Sequence, residues 1–256
     1  MLLFKLALVA LSIFLASWVA KRFGHAVGGA LAGMPVIAGP IMALVLIDHG
    51  PVLAHDIALA TLVCVPATVA HIVTFTHMAK KMPWPLCLAL AMTVFFIVSL
   101  ALVALDWPDW MRIMLAALAP AVGLMSMPRV KKQCGGIAIP ALEIVARILA
   151  AITLAGTIIV GADYFPASIS GILLAIPIAG SILPCFTLPT YGYQATVNLL
   201  GGFAKGLNGF CTFFIGLLLA LPVFNAAPAF FLALSAAFAV ALLVYRINQR
   251  LARSSP

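Results

Sequence analysis

The chain has 256 residues, of which 65% are hydrophobic and only 8% charged, and its mean hydropathy is +1.24. Soluble domains carry roughly 25% charged residues, so too little polar surface is available here to clothe a water-soluble fold. The formal net charge of +8 does not mark a nucleic-acid binder, because the basic residues are scattered in ones, twos and threes between apolar blocks instead of forming a stripe.

A helix needs about 20 apolar residues to cross a bilayer. Residues 2–20, 26–47, 57–78, 86–105, 111–127, 140–161, 167–189, 199–221 and 227–245 supply such blocks in turn. The expectation is an all-α polytopic membrane bundle of about nine transmembrane helices. The first block resembles a signal peptide, but its basic pair, Lys21 and Arg22, follows the apolar run instead of preceding it, which favours an uncleaved helix that starts outside. The fifth block is the shortest and contains Pro120. Walking inward from an outside N-terminus puts Lys21/Arg22, Lys80/Lys81, Arg129/Lys131/Lys132 and Arg246/Arg250/Arg253 on one side, the cytoplasmic side by the positive-inside rule. Asp48, Asp56, Asp106, Asp109 and Asp163 collect opposite. This is the pattern of a multi-pass inner (plasma) membrane protein with its C-terminus in the cytoplasm. Trp18, Trp84, Trp107 and Trp110 fall at span ends, as interfacial anchors do.

Sliding the chain on itself by 142 positions superposes Lys5 on Arg147, Phe23 on Phe165, Gly29 on Gly171, Pro35 on Pro177 and Gly50 on Gly192. Five spans separate the matched helices, and an odd offset turns the second copy upside down. The organisation expected is therefore a four-helix repeat over 1–105, a linking helix and basic loop over 106–139, and an inverted four-helix repeat with a basic tail over 140–256. Inverted repeats joined by a central helix are common in secondary transporters.

The second helix of each repeat reads GGALAGMPVIAGPIM (28–42) or SGILLAIPIAGSILP (170–184). Proline inside a helix removes a backbone hydrogen bond and clashes with the preceding turn, so both helices should be kinked or broken. A break at membrane depth is tolerated only where the freed N–H and C=O groups face protein, water or a ligand. Gly33, Pro35, Gly39, Pro40, Pro177, Gly180 and Ser181 are thus candidate substrate-binding positions, against the plainer reading of packing kinks between close helices. With its flanking loop and next span, the stretch FGHAVGGALAGMPVIAGPIMALVLIDHG resembles, through Gly29, Pro35, Gly50 and its hydropathy, the four-helix unit of small bacterial GlpM-type membrane proteins, here present twice. The resemblance implies a bacterial inner-membrane protein and carries over no substrate or residue roles.

Polar residues at membrane depth are few, and each is a functional candidate. Glu143 and Arg147, four apart on one helix face, can pair. Arg147 could meet an anionic substrate while Glu143 exchanges a proton, or the two form a structural pair near the cytoplasmic end. Lys205 lies in the glycine-rich NLLGGFAKGLNGF, where it could hold an anion or serve as a topology charge. Asn208, with Asn198, Gln194, Tyr191 and Tyr193, either hydrogen-bonds a ligand or lines a loop. His71, mid-span, is either a proton relay or a core histidine bonded to a backbone carbonyl. The sequence contains no catalytic motif, no Cys or His spacing suited to a metal and no paired intramembrane carboxylates, so no enzymatic activity, metal or cofactor is expected. The expected partners are membrane lipid, a small anionic solute, and no nucleic acid, with room for a homo-oligomer. The functional expectation is a secondary-active transporter of a small anionic or amphipathic solute that sits between the broken second and seventh helices, coupled to protons through Glu143 or His71. The alternative is a non-transporting membrane partner or lipid-handling subunit of a cell-envelope system.

Overall fold

The computed structural model describes residue 7 and residues 25–130, 141–161 and 164–253. Eight helices occupy the described residues: α1 (His25–Ala32), α2 (Ala38–Met78), α3 (Trp84–Val103), α4 (Asp109–Ser126), α5 (Ala141–Gly161), α6 (Ala167–Ala175), α7 (Ile178–Ala220) and α8 (Ala226–Arg253). Apart from residue 7, the expected first span at 2–20 lies outside the described residues, as do Lys131 and Lys132.

Proline sets several of the helix starts. Pro83, Pro108 and Pro166 each sit in extended conformation immediately before α3, α4 and α6, where a fixed φ and a missing N–H cost a helix start little.

Ala38–Met78, Trp84–Val103, Ala167–Ala220 and Ala226–Val244 are long and apolar enough to cross a membrane, and they mark the chain as a helical membrane protein. Their burial differs. The windows in α2 and in α6–α7 are 78% and 61% buried, whereas those in α3 and α8 are 22% and 17% buried. The first pair forms the protein's interior. The second presents Leu86, Ile97, Leu100, Phe231, Leu232 and Leu242 outward, as lipid-facing helices do.

The expected separation of 26–47 from 57–78 by a loop is not what forms. The helix breaks earlier, over 33–37, and then runs as α2 through residue 50, where Gly50 takes φ 81°, ψ −177°. The stretch expected as a loop at 190–198 is likewise helical, apart from Gly192 at φ 78°, ψ −175°. This region of backbone space is essentially restricted to glycine. One residue therefore turns the chain at each place, and no polar loop is needed. At 1.5 Å per residue, α2 would be about 60 Å long if straight, twice the hydrocarbon thickness, so within a bilayer it must fold back at Gly50.

Gly50 and Gly192 lie 142 residues apart, as do the starts of α1 and α6 and the starts of α3 and α8. The packing is reciprocal as well. α1 lies on the part of α7 that follows Gly192, and α6 lies on the part of α2 that follows Gly50. In the first contact, a Cβ added to Gly29 or Gly33 would collide with the backbone of Leu199 or Phe203, and one added to Gly202 or Gly206 with that of Ala26 or Ala30. Two Gly-x3-Gly ridges thus interlock, an arrangement that lets helix backbones touch. Because 26 meets 202 and 30 meets 206, the two helices run parallel. In the second contact, Gly171 meets the backbone of Ala60 and Thr61, and Thr68 Oγ1 donates to the Ala175 carbonyl at 2.7 Å. These two helices also run parallel.

Candidate functional site

The two interruptions share one backbone design. At the first, Val36 N–H donates to Met34 O at 2.7 Å and Gly39 N–H to Pro35 O at 2.7 Å. At the second, Ile178 N–H donates to Ile176 O at 2.8 Å and Ser181 N–H to Pro177 O at 2.7 Å. A hydrogen bond spanning two residues defines a γ-turn, and Pro177 at φ −76°, ψ 68° has the geometry of the inverse form. Proline favours this turn because its ring fixes φ near the required value.

The consequence is a pair of exposed helix beginnings inside the bundle. No backbone acceptor is found for the N–H groups of Ile37 and Ala38, or of Ala179 and Gly180, among the described residues, and neither start carries a side-chain cap. Uncapped N–H groups at a helix start are anion-seeking, because the helix dipole adds about half a positive charge there.

Phe203 joins the two breaks. Its backbone abuts Gly33, and its ring lies against Gly180, where an added Cβ would sit 3.1 Å from Phe203 Cζ. Gly39 is buried, yet an added Cβ would meet no atom within 4 Å, so unfilled space adjoins the first break. Pro40 lies in the first turn of α2, where its missing N–H costs nothing.

At the second break, polar side chains meet across the two halves of the chain. His71 on α2 is completely buried, and its Nε2 lies 3.2 Å from Ser181 Oγ. Ser181 Oγ also reaches Met92 Sδ on α3 at 3.7 Å. The backbone of Ala91 and of Gly180 comes within hydrogen-bonding reach of the imidazole, although Nδ1 makes no hydrogen bond of good geometry among the described residues. His71 is thus a buried histidine that meets the Ser181 hydroxyl and lies within hydrogen-bonding reach of the backbone at Ala91 and Gly180. Cys185, a turn beyond Ser181, donates to the Ser181 carbonyl.

Lys205 lies near the middle of the helical run from Gly192 to Ala220, about 20 Å from either end at 1.5 Å per residue. It is half-buried and immediately precedes Gly206, which packs on α1. Asn208 turns its amide onto its own helix, donating to the Lys205 carbonyl at 3.0 Å. Asn198 does the same to Gln194 at 3.0 Å. Glu143 and Arg147 fall on α5, but their side chains lie outside the described residues.

Phe203, Met92 and Thr68 carry no signal in the sequence that would single them out. The first two are apolar, and Thr68 looks like any threonine of an apolar span.

Among the described residues, no three His, Cys, Asp or Glu side chains come together as a metal site would require, and Cys64, Cys87, Cys185 and Cys211 are free thiols. Comparisons with protein-family models, with curated proteins and with solved structures give no match.

Proposed function

We propose that the protein is a secondary-active transporter of a small anionic or amphipathic solute, held between the two interrupted helices near the middle of the membrane. The observation that carries this reading is the recurrence of one proline-centred γ-turn in two helices, each leaving uncapped N–H groups deep in an apolar bundle and both reaching Phe203. A bilayer tolerates such backbone where it lines a cavity or a ligand site. Half-buried Lys205 adds positive charge at that depth, and its cost in an apolar span is a mark of function.

Inverted repeats underlie the reading. The 142-residue recurrence of helix starts, γ-turns and glycine breaks favours duplication. The packing favours inversion: α1 runs parallel to late α7, α6 runs parallel to late α2, and α2 and α7 each reverse at their glycine. Equivalent helices then point in opposite directions. Two such halves can exchange which face of the membrane the site opens to, and this is what carriage requires. The charges fit a chain with Asp48, Asp56, Asp106 and Asp109 outside and Lys80, Lys81 and Arg129 in the cytoplasm of an inner membrane.

Purified protein in liposomes should take up or release organic anions under a pH or voltage gradient. Lys205→Gln should lose most of that flux while inserting and folding normally. Absence of flux for every anion under both gradients would overturn the proposal, and copurification with a partner chain or ordered lipid would point to the subunit alternative.

A further inference from the structure

We infer that the protein moves as two bodies that cut across the two halves of the sequence, hinged at Gly50 and Gly192. The first body is α1 with residues 193–220 of α7 and with α8. The second is α6 with the first turn of α7, residues 51–78 of α2, and α3. The division is a property of the fold, whereas its use in opening a site to either face of the membrane rests on the transporter reading.

Each body is held by contacts of backbone on backbone. In the first, a Cβ added to Gly29, Gly33, Gly202 or Gly206 would strike the facing main chain, and Met34 lies beside Gly209. Gly216 faces the Cα of Ala233 on α8, and the rings of Phe213 and Phe230 meet edge to face at 5.6 Å. In the second, Gly171 lies on the backbone of Ala60 and Thr61, and Thr68 Oγ1 donates to the Ala175 carbonyl. Ser181, in the first turn of α7, adds its contacts with His71 on α2 and Met92 on α3. Helices packed this closely have no intervening side chains that could repack to let them slide.

Between the bodies the contacts are of another kind. Among the described residues, every glycine whose added Cβ would come within 3 Å of another helix's backbone does so inside one body. Across the divide, Gly180 meets only the end of the Phe203 ring. α4 leans on both bodies, with Gly123 against the Val69 side chain and the Ala116 carbonyl accepting from Cys211 Sγ at 3.2 Å. Contacts that end on side chains can be remade in another rotamer.

The chain crosses between the bodies within α2 and within α7. α7 belongs to the second body at Ser181 and to the first by Leu199, and in that interval Gly192 is the residue off helical geometry. α2 starts just after Met34 of the first body and belongs to the second by Ala60, and Gly50 is the residue off helical geometry within it. Both glycines have φ near +80°, and no atom lies within 4 Å of a Cβ added to either. Glycine has the widest torsional range of any residue, and nothing packed around these two opposes a turn. Hinges are residues of this kind, placed at element ends where they absorb a change in φ and ψ.

Hydrogen exchange of the full-length protein in detergent, read by mass spectrometry, tests the bodies. Gly29→Val should speed exchange about tenfold or more throughout α1, 193–220 and α8, and leave α6, 51–78 and α3 unchanged. Gly171→Val should do the reverse. If either does not fold, the milder Phe230→Leu in the first body and Thr68→Val in the second carry the same test, with changes of about fivefold. Exchange that follows the sequence halves, or that rises alike through the whole chain, would overturn the division. Electron-resonance distances in a cysteine-free background test the hinge. Spin labels on Leu219→Cys and Leu242→Cys lie within the first body, and labels on Ile97→Cys and Leu242→Cys span the two; all three positions are exposed. The spanning pair should have the broader distance distribution, and Gly50→Ala and Gly192→Ala should each alter it while leaving the inner pair unchanged. Equal widths, or a spanning distribution that neither substitution alters, would overturn the hinge. Flux in liposomes is scored separately. Two moving bodies without flux remove the carrier and leave the hinge, whereas flux through a protein that exchanges as one unit does the reverse.

Discussion

The breaks at Pro35 and Pro177 share a backbone and differ in chemistry. Both have the γ-turn, the uncapped N–H pair, and a glycine-broken reversal 15 residues after the proline. Among the described residues, polar side chains are seen to meet at the second and not at the first. The positions 142 away from Ser181, His71 and Met92 are Gly39, Phe213 and Leu234, and the first break is bordered by open space at Gly39. The geometry is thus set by Gly and Pro, whose effects are written in the main chain, and it recurs where the surrounding side chains differ. The side chains then differ between the two, with a polar cluster at the second break and unfilled volume at the first.

Substitutions in matched pairs probe how far the likeness extends. The largest losses should come where helices touch through glycine. Gly29→Val and Gly171→Val each drive a side chain into a facing backbone and should cost at least the upper part of the about 1–3 kcal/mol typical of overpacking, read as SDS-induced unfolding of the purified protein. Next are Gly50→Ala and Gly192→Ala. No atom lies within 4 Å of either added Cβ, so the cost is backbone strain alone, about 1–3 kcal/mol, and should be equal in the pair; a clear inequality would break the comparison.

Thr68→Val removes the donor to the Ala175 carbonyl and should cost about 1 kcal/mol. The position 142 residues on, Phe210, makes no such bond, so Phe210→Leu should leave the α6 end untouched in hydrogen exchange. The smallest effect should be that of Gly39→Ser, which fits open space and should stay within about 0.5 kcal/mol.

The sequence foretold more of the backbone than of the site. The Gly-x5-Pro spacing marked both interruptions, and α3 and α5, at Trp84–Val103 and Ala141–Gly161, lie close to the blocks expected at 86–105 and 140–161. Hydropathy made these legible, because lipid demands long apolar runs. Reversals were expected at 48–56 and 190–198, but as loops; that helix continues to a single glycine at each place, Gly50 and Gly192, was hidden, because a rare glycine conformation has no signature in the sequence. The polar cluster was hidden for another reason. His71 and Ser181 are 110 residues apart and meet only because α2 and α7 pack together. Phe203 reads as one more apolar residue until the fold sets it between Gly33 and Gly180.

Carriage between the two interrupted helices requires the two halves to be inverted, and labelling from either face tests this directly. In a cysteine-free background, exposed Val52, beside Gly50, and exposed Thr190, beside Gly192, are replaced singly by cysteine and treated with a membrane-impermeant maleimide in intact cells and in inside-out vesicles. The prediction is that Val52→Cys reacts only from outside and Thr190→Cys only from the cytoplasmic face. Reaction of both from the same face would contradict inversion, and with it the transporter reading.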